Sequence, residues 1–416
     1  MDGHGAPFLP LGSSTWVFPQ LSREEIDARF DDVAACGFNA VVLMTLSGGP
    51  DDGVNPSGSR AQYGPPQAYG LFPFTDNKLT PSVDYFTHLR DIVRRARARG
   101  LVAYVSACYR GHDSSHDGFQ SRVEACTDQE CADYGDWLGT FFKDEPNLIW
   151  VMGGDSLPDT TPRVKWTALG EAILAADPGR LMTGHTARTG EGKDYGSYIN
   201  LNSVYRAWND IVAGTIAAGS ALKIFYEGTY FGDGTAFGNP DDFPVSKVYP
   251  QSYHAILSGC AGANQGDHET WTAGYVTPVG DSPPPVEYWP DWRDSLTNAA
   301  AQTNKWTKKF FESFAWWTLL DAGPDSSHAF VTSGLGSGET AVAASYTSLV
   351  GAAIYFDDVT LALGVFSGAV RIRTYDPTTG DFSTLEASIA NSGTYDVTHT
   401  NNAAGTAPRL LLVEVI

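Results

Sequence analysis

Positive charge is scarce in this sequence, which has 27 Lys and Arg residues against 48 Asp and Glu residues and a formal net charge of −21. Phosphate backbones and acidic lipid headgroups repel such a surface, so nucleic acid and anionic membranes are excluded as partners. Long apolar runs are also absent, since no stretch approaches the roughly 20 residues that a membrane span requires. The segment from Met1 to Pro7 lacks the charged-then-apolar pattern of a secretory signal.

Cysteine is rare, with five residues in 416. Cys36, Cys108 and Cys260 lie in apolar runs and are predicted to be small core residues. Cys126 and Cys131 flank a short polar segment, which permits a local disulfide in an oxidising compartment. Zinc-site spacings, the His-Glu-x-x-His pattern and the Gly-x-Ser-x-Gly pattern are missing, so we expect neither a metal nor a cofactor and give little weight to peptidase chemistry.

Two apolar runs each close on a carboxylate. The run Asn147–Asp155 is β-branched and apolar and ends in two glycines and Asp155, as a buried parallel strand does. The run Leu222–Gly228 contains Glu227 in the same position. One Asp and one Glu at the carboxyl ends of core strands are the minimum equipment for breaking a glycosidic bond. Taken alone, Asp155 has an equally good interpretation as the cap of the next helix.

Strands and helices alternate along most of the chain. Ser22 and Glu25 form a capping box before a helical apolar stripe, and Gly37 ends that helix before the next apolar strand. Eight such alternations predict an α/β fold, a (β/α)8 TIM barrel over residues 1–325, with its long loops on the catalytic face. The short alternating strands after the Gly-rich linker Gly334–Gly338 predict a small all-β sandwich over 335–416.

Two further clusters have competing interpretations. The helix Val83–Arg99 carries an arginine cluster, Arg90, Arg94, Arg95, Arg97 and Arg99, which we interpret as a solvated outer face in preference to an anion site. His112 and His116, each followed directly by an aspartate, Asp113 and Asp117, have the ligand types for a divalent metal, but we favour ordinary hydrogen bonding in a loop at the barrel mouth.

These motifs together resemble the apiosidase-like glycoside hydrolases, barrel proteins that commonly carry a C-terminal module named for collagen binding. The best motif is Asn, two apolar residues, Trp, two apolar residues, Gly-Gly-Asp. The matching runs are Phe8–Gly12 with Trp16, Gly37–Asn39, Tyr134–Gly139, Asn147–Asp155, His185, Glu227 with Tyr230, Gly259–Gly266 with Trp271, and Tyr375–Gly380 in the C-terminal region.

The resemblance implies that Asp155 is the catalytic acid/base and Glu227 the nucleophile of a retaining mechanism. We expect the apolar neighbours Trp150 and Met152 to favour the protonated acid. The sugar is expected to be a five-membered ring, arabinofuranose or apiose, in a polysaccharide or oligosaccharide. Candidate substrate-binding residues offer stacking faces, imidazoles and amides, and for each a structural role has equal weight: Trp16, His185, Asn200, Asn202, Tyr226, Tyr230, His268 and Trp271.

Two departures from the family pattern bear on the sugar. Ser13 stands where the family usually has an aspartate, and Gln265 precedes Gly266 where the family often has a tyrosine. We expect both positions near the sugar subsite. The alternative function is a non-catalytic protein that binds a polysaccharide or host protein on a degenerate barrel. The C-terminal module is interpreted as a cover for an apolar face of the barrel in preference to a sugar-binding module, and the protein is expected to act outside the cell, free or as part of a phage particle.

Overall fold

The computed structural model describes most of the chain. The described residues are 5–16, 21–44, 71, 73–111, 118–155, 160–187, 190–206, 211–219, 222–230, 245–266, 292–293, 296, 299–323, 331–333, 342–346, 350–355, 358–398 and 410–416. No helix within these ranges is long and apolar enough to cross a membrane.

Eight strands form one sheet and alternate with helices, as the sequence predicts for a (β/α)8 barrel. The strands are β1 (Leu11–Ser14), β2 (Ala40–Leu43), β3 (Val102–Tyr109), β4 (Leu148–Gly153), β5 (Met182–His185), β6 (Asn202–Val204), β7 (Lys223–Tyr230) and β8 (Ala263–Gly266). The helices are α1 (Arg23–Ala35), α2 (Val83–Ala98), α3 (Gln120–Ala125), α4 (Asp128–Phe142), α5 (Thr160–Ala176), α6 (Ile211–Ala217), α7 (Val245–Leu257), α8 (Ala299–Gln302) and α9 (Asn304–Phe311).

Side-chain caps fix where the helices begin. Ser22 accepts a hydrogen bond from the backbone N–H of Glu25, and the Glu25 carboxylate accepts one from the Ser22 backbone, so the predicted capping box of α1 is confirmed. Thr127 and Glu130 form the same box at the start of α4. These caps satisfy backbone donors that have no partner inside the helix.

The residues group into two compact units, each described here by itself. The first unit comprises Gly12–Tyr205 and Asn264–Thr297, and the second comprises Met1–Leu11, Arg206–Ala263 and Asn298–Ile416. The boundary between a barrel domain, 1–325, and a C-terminal module, 335–416, stays a prediction.

In the first unit, β1 to β5 lie side by side in chain order and pair in parallel. Their side chains alternate between the barrel interior and the helix layer. Trp150 packs edge-on against Phe142 of α4, with ring centroids 5.5 Å apart, so Trp150 faces the helices. Its neighbour Val151 therefore faces the interior, and the same alternation carries the chain to the carboxyl ends of the strands.

The second unit contains two antiparallel sheets, which confirm the predicted all-β sandwich after the barrel. Their strands are β9 (Leu319–Gly323), β10 (Val331–Ser333), β11 (Val342–Tyr346), β12 (Gly351–Tyr355), β13 (Val359–Ala362), β14 (Val370–Tyr375), β15 (Phe382–Ile389), β16 (Thr394–Val397) and β17 (Leu410–Val415). One sheet has the order β15-β14-β17-β12-β11-β9 and the other the order β10-β13-β16. Between them lies an apolar core that includes Ile354, Leu361, Phe366, Ile372 and Val413.

Aromatic side chains of the larger sheet pack against α7 and α9 within the second unit. Tyr375 lies with its ring centroid 5.1 Å from that of Phe310 and donates a hydrogen bond of 2.7 Å to the carbonyl of Trp306. Tyr355 meets His254 edge-on at 4.7 Å. These contacts support the interpretation of the sandwich as a cover for an apolar helical surface.

The sequence also predicts one closing helix over Trp292–Phe314 and a strand over Tyr198–Asn202, and the structure corrects both of these as well as the disulfide. The predicted single closing helix Trp292–Phe314 is represented by two short helices, α8 and α9, with Thr303 between them. The predicted strand Tyr198–Asn202 lies later, at Asn202–Val204, because Tyr198 packs instead against Gly170 of α5. Cys126 and Cys131 are separate buried thiols, since Cys131 faces the core and Cys126 ends α3.

The arginine cluster is also more than a solvated face. Arg95 lies 2.7 Å from Asp27, Arg99 lies 2.6 Å from Asp31, and both acids belong to α1. Arg94 contacts the buried Glu145 at 2.7 Å. The basic end of α2 therefore ties α2 to its neighbours through ion pairs, which a count of charges along one helix does not reveal.

Candidate active site

Asp155 lies two residues after β4 with its side chain 20% exposed. Its Oδ1 is 2.7 Å from Nε2 of His185, and its Oδ2 accepts a hydrogen bond of 3.1 Å from the hydroxyl of Tyr109. Tyr109 and His185 are the last residues of β3 and β5, and both pair in register with Gly153 of β4. Three adjacent strand ends therefore bring these three side chains together.

An aromatic cage surrounds His185, which is 2% exposed. The Trp16 ring meets the imidazole edge-on at a centroid distance of 4.9 Å, and the Tyr205 ring does so at 5.8 Å. The Tyr109 ring lies 6.2 Å away and is also edge-on to Trp16 at 5.5 Å. Interlocked rings of this kind leave the imidazole little freedom to rotate.

The turn that delivers Asp155 depends on glycine. Gly153 has φ +91°, and a Cβ atom at this position would overlap the ring of Tyr195. The N–H of Gly154 donates to the His185 carbonyl at 3.0 Å and to the Tyr195 hydroxyl at 3.2 Å. The two glycines thus pass close to β5 and to Tyr195, which fixes the direction in which Asp155 leaves the strand.

Tyr195 belongs to a short 3-10 turn, Gly192–Tyr195, and is fully buried. Burial raises the pKa of its hydroxyl to about 12, and the neighbouring Arg110 guanidinium partly offsets this rise. Tyr195 therefore stays neutral at physiological pH and serves as a hydrogen-bonding support for the Gly154 backbone.

Trp150 and Met152, which were expected to raise the proton affinity of Asp155, face the helix layer. Trp150 packs on α4, and strand alternation places Met152 on the same helix-facing side. Polar and aromatic groups, chiefly Tyr109 and His185, contact the carboxylate instead. The expectation of an apolar wall made by Trp150 and Met152 is therefore wrong.

Asn200 and Asn202 have their amides engaged with the chain around them. Asn200 accepts from the Met182 backbone at 2.8 Å, at the amino-terminal end of β5, and donates to the Arg180 carbonyl at 2.9 Å. Asn202 accepts from the Lys193 backbone and donates to the Glu191 carboxylate, both at 2.9 Å. Both amides stabilise local chain conformation in this structure.

Trp16 and His185 are therefore the two predicted substrate-binding residues that the structure brings beside Asp155. Glu227 lies within β7, but the side chains of Glu227, Tyr226 and Tyr230 lie outside the described residues. His268, Trp271 and the His112–Asp117 segment also lie outside them. Within the described ranges no group of His, Cys, Asp and Glu side chains is arranged to hold a metal.

Both departures from the family pattern point away from the site. The Ser13 hydroxyl accepts a hydrogen bond of 2.7 Å from Arg29, a buried residue of α1 that also contacts Asp32 at 2.5 Å. Ser13 therefore faces the helix layer. On β8, Asn264 faces Gly12 in the barrel interior, so alternation turns the next residue, Gln265, toward the helices as well.

Sequence reasoning missed Tyr109, Tyr195 and Tyr205. Tyr109 had a usable signal, because it ends an apolar run just as Gly153 and His185 end theirs. Tyr195 and Tyr205 sit in a short turn and just after a three-residue strand, and neither segment has a periodicity that marks it.

Comparisons with known proteins identify the family and the fold. A family model described as the apiosidase-like catalytic domain matches residues 1–318. A comparison with curated proteins gives no match. Among solved structures, a protein described as a glycoside hydrolase is 20% identical with a TM-score of 0.74, and the match covers 99% of this chain and 94% of that one.

Two proteins from Bacteroides vulgatus are also similar. A family 5 glycoside hydrolase is 20% identical with a TM-score of 0.75, over 99% of this chain and 91% of that one. A second glycoside hydrolase is 12% identical with a TM-score of 0.63, over 98% and 79% of the two chains. At these identities the likeness establishes the barrel fold.

Proposed function

The chain belongs to the apiosidase-like family of glycoside hydrolases, and we propose that it hydrolyses a furanosidic linkage of the arabinofuranose or apiose type. The substrate is a polysaccharide or oligosaccharide, and the anomeric configuration is retained. Asp155 is the acid/base and Glu227 the nucleophile. The observation that carries the proposal is the Asp155 carboxylate, held by Tyr109 and His185 at the end of a core strand yet still 20% exposed.

The reaction takes two displacements. In the first, Asp155 transfers a proton to the glycosidic oxygen while the Glu227 carboxylate forms a bond to the anomeric carbon and the carbon–oxygen bond breaks. In the second, the Asp155 carboxylate takes a proton from water, whose oxygen attacks the same carbon and releases Glu227. The sugar leaves with its starting configuration.

The chemistry requires Asp155 to reach solvent on one side and to keep a fixed direction on the other. The buried His185 ring 2.7 Å from one carboxylate oxygen and the Tyr109 hydroxyl that donates to the other meet the second need. Trp16, buried beside His185, supplies an aromatic wall at the carboxyl ends of the strands. Barrel enzymes assemble their catalytic groups at this end of the sheet.

The test is sugar release from arabinan, arabinogalactan and apiose-bearing pectin by the wild type, Asp155→Asn and Glu227→Gln. We expect release by the wild type and a loss of at least about 100-fold in each variant. Asp31→Asn is a matched control, because Asp31 is an exposed acid on α1 that pairs with Arg99. Equal release by all four proteins would contradict the assignment of the two acids.

Stereochemistry has its own measurement. The anomer formed first from an aryl furanoside is read by proton NMR before mutarotation, and retention is expected. Inversion would place Glu227 in the role of a base acting on water, with the two carboxyl groups about 6.5–9.5 Å apart in place of about 5–5.5 Å.

We also propose that the protein acts outside the cell, since polymeric sugars do not cross membranes. Activity measured in the culture medium and in washed, lysed cells of the source organism tests this. Activity confined to the lysed cells would contradict the proposal.

A further inference from the structure

We propose that His185 and Tyr109 are positioning residues for the acid/base, which hold the Asp155 carboxyl group from its two opposite oxygens and so direct its proton toward the leaving group. The inference rests on the proposed function. It reassigns His185 from the sugar subsite to the support of the acid, and it gives Tyr109 a role that the sequence did not suggest.

Two contacts fix the plane of the Asp155 carboxyl group. The terminal torsion of an aspartate is broad and two-fold, so a contact to one oxygen leaves the carboxyl plane free to turn. Here Nε2 of His185 lies 2.7 Å from Oδ1, and the Tyr109 hydroxyl lies 3.1 Å from Oδ2. Contacts to both oxygens from two different strands fix the plane, which limits the directions in which a proton can leave.

The His185 and Tyr109 side chains are themselves held rigidly. The His185 ring is 2% exposed and has the Trp16 and Tyr205 rings edge-on at 4.9 Å and 5.8 Å. Tyr109 is itself buried and packs edge-on against Trp16 at 5.5 Å. The two supports therefore share one aromatic neighbour and cannot move independently. Supporting groups locked in this way hold a catalytic side chain within the tolerance that proton transfer requires.

The same contacts act when Asp155 gives up its proton. Transfer to the glycosidic oxygen breaks the O–H bond of the Asp155 carboxyl group and leaves a carboxylate, whose charge develops in the transition state. The Tyr109 hydroxyl, which donates to Oδ2, and the His185 imidazole, 2.7 Å from Oδ1, stabilise that charge. When water attacks the glycosyl-enzyme, the proton returns to the same carboxylate, and neither His185 nor Tyr109 gains or loses a proton over the cycle.

This arrangement predicts a dependence on the leaving group. A good leaving group such as 2,4-dinitrophenol departs without protonation, so misplacing the acid costs little, whereas phenol needs the proton. A residue that only binds sugar would change the rate by the same factor for every leaving group. The series of aryl furanosides from dinitrophenol to phenol therefore distinguishes a positioning residue from a binding residue.

The variants are chosen to keep the packing. Tyr109→Phe removes the hydroxyl and keeps the ring, and His185→Phe removes the ring nitrogens and keeps the volume in the aromatic cage. His185→Gln restores an amide N–H near the position of Nε2 and serves as the conservative rescue. Tyr198→Phe is the control, since Tyr198 is a buried tyrosine that packs on Gly170 of α5. Thermal unfolding is recorded for every variant.

For kcat/KM we expect losses of about 10–100-fold with phenol and less than about threefold with dinitrophenol for Tyr109→Phe and His185→Phe. The His185→Gln variant should recover part of the loss, and Tyr198→Phe should match the wild type. The alkaline limb of the pH profile should move to higher pH in Tyr109→Phe, because a carboxyl group that loses a donor to its ionised form keeps its proton longer. Among the residues whose side chains the structure describes, the other titratable groups beside Asp155 are Tyr195 and its partner Arg110, which all variants retain.

The outcomes separate the two proposals. If the wild type cleaves no furanoside, the proposed function fails. If the wild type is active and Asp155→Asn depends on the leaving group, but Tyr109→Phe and His185→Phe lose the same factor with every leaving group, the proposed function stands and the positioning role is wrong.

Discussion

The side-chain amide of Asn264 occupies the space that a Cβ atom on residue 12 would need. Gly12 is on β1 and Asn264 on β8, and both are fully buried or nearly so in the barrel interior of the first unit. Packing therefore requires a glycine at position 12, because any larger side chain would overlap the Asn264 amide.

This relationship predicts a paired effect on stability. Gly12→Ala should lower the free energy of unfolding by about 1–3 kcal/mol, because the methyl group overlaps the Asn264 amide and the packed interior cannot yield. In the double variant with Asn264→Ala the methyl group has room, so the two effects should combine to less than their sum. Urea denaturation gives the free energy of unfolding of the wild type, of the two single variants and of the double variant. Gly364→Ala is the control, since a Cβ there meets open space, and additive effects would contradict the overlap.

Gly153 gives a second test of packing near the acid. Gly153→Ala should destabilise the protein and reduce activity, because the residue has φ +91° and its Cβ would overlap the Tyr195 ring. Gly179→Ala separates the two causes, since Gly179 has φ +88° with nothing near its Cβ. We expect Gly179→Ala to cost about 1 kcal/mol and Gly153→Ala clearly more by urea denaturation. Equal costs would mean that Tyr195 moves aside freely.

Acid should remove the stability that Asp91 supplies. Burial raises the pKa of this carboxyl group, but hydrogen bonds and charge from Arg95 and Arg23 outweigh burial, and the pKa is lowered overall. A lowered folded pKa contributes stability above the unfolded value of about 3.9, and that stability is lost as pH falls through the folded pKa. Because Asp91 is 37% exposed, the contribution is about 1 kcal/mol or less.

Asp91→Asn should therefore be less stable than the wild type at pH 7, and the two proteins should converge in acid, once the pH has fallen through the lowered folded pKa of Asp91. The measurement is urea denaturation at pH 7 and at the acidic pH. The control is Asp133→Asn, because Asp133 is an exposed acid whose charged or amide partner in the described structure is Gln129 alone. A difference that persists unchanged in acid would assign the effect to packing.

The cysteines should be chemically silent in the folded protein. All five are buried, and burial raises the pKa of Cys131 and of Cys260 to about 12. Since the thiolate is the reactive form, iodoacetamide at pH 8 should label none of them until urea is added, after which mass spectrometry should count five labels. Three labels without a reductant would indicate a disulfide, with Cys126 and Cys131 the first pair to map.

How far the sequence predicted this molecule depends on the kind of signal. The start and end of α1 were predicted closely, because Ser22 and Glu25 mark its start chemically and Gly37 follows its end. Asp155 and His185 were found because each follows an apolar run that could only be a core strand. Signals of this kind depend only on residues close in sequence, so contacts with distant segments do not change them.

The errors came from relationships between distant segments. The direction in which Ser13 points depends on the phase of β1, which the short run Leu11–Ser14 does not reveal. The support of Gly154 by Tyr195 joins residues 41 apart in sequence. Trp150 was assigned to the acid from its nearness in sequence, but a strand sends neighbouring side chains to opposite faces.

The first strand-forming segment has a consequence for how the protein is made. Residues up to Leu11 belong to the same compact unit as 206–263 and 298–416, and the Pro10 carbonyl accepts a hydrogen bond of 3.0 Å from Ala263. The ribosome delivers Pro10 about 250 residues before that partner, which at about 5–20 residues per second is a wait of roughly 10–50 s. The apolar segment Phe8–Leu11 must therefore wait for this partner while about 250 further residues are made.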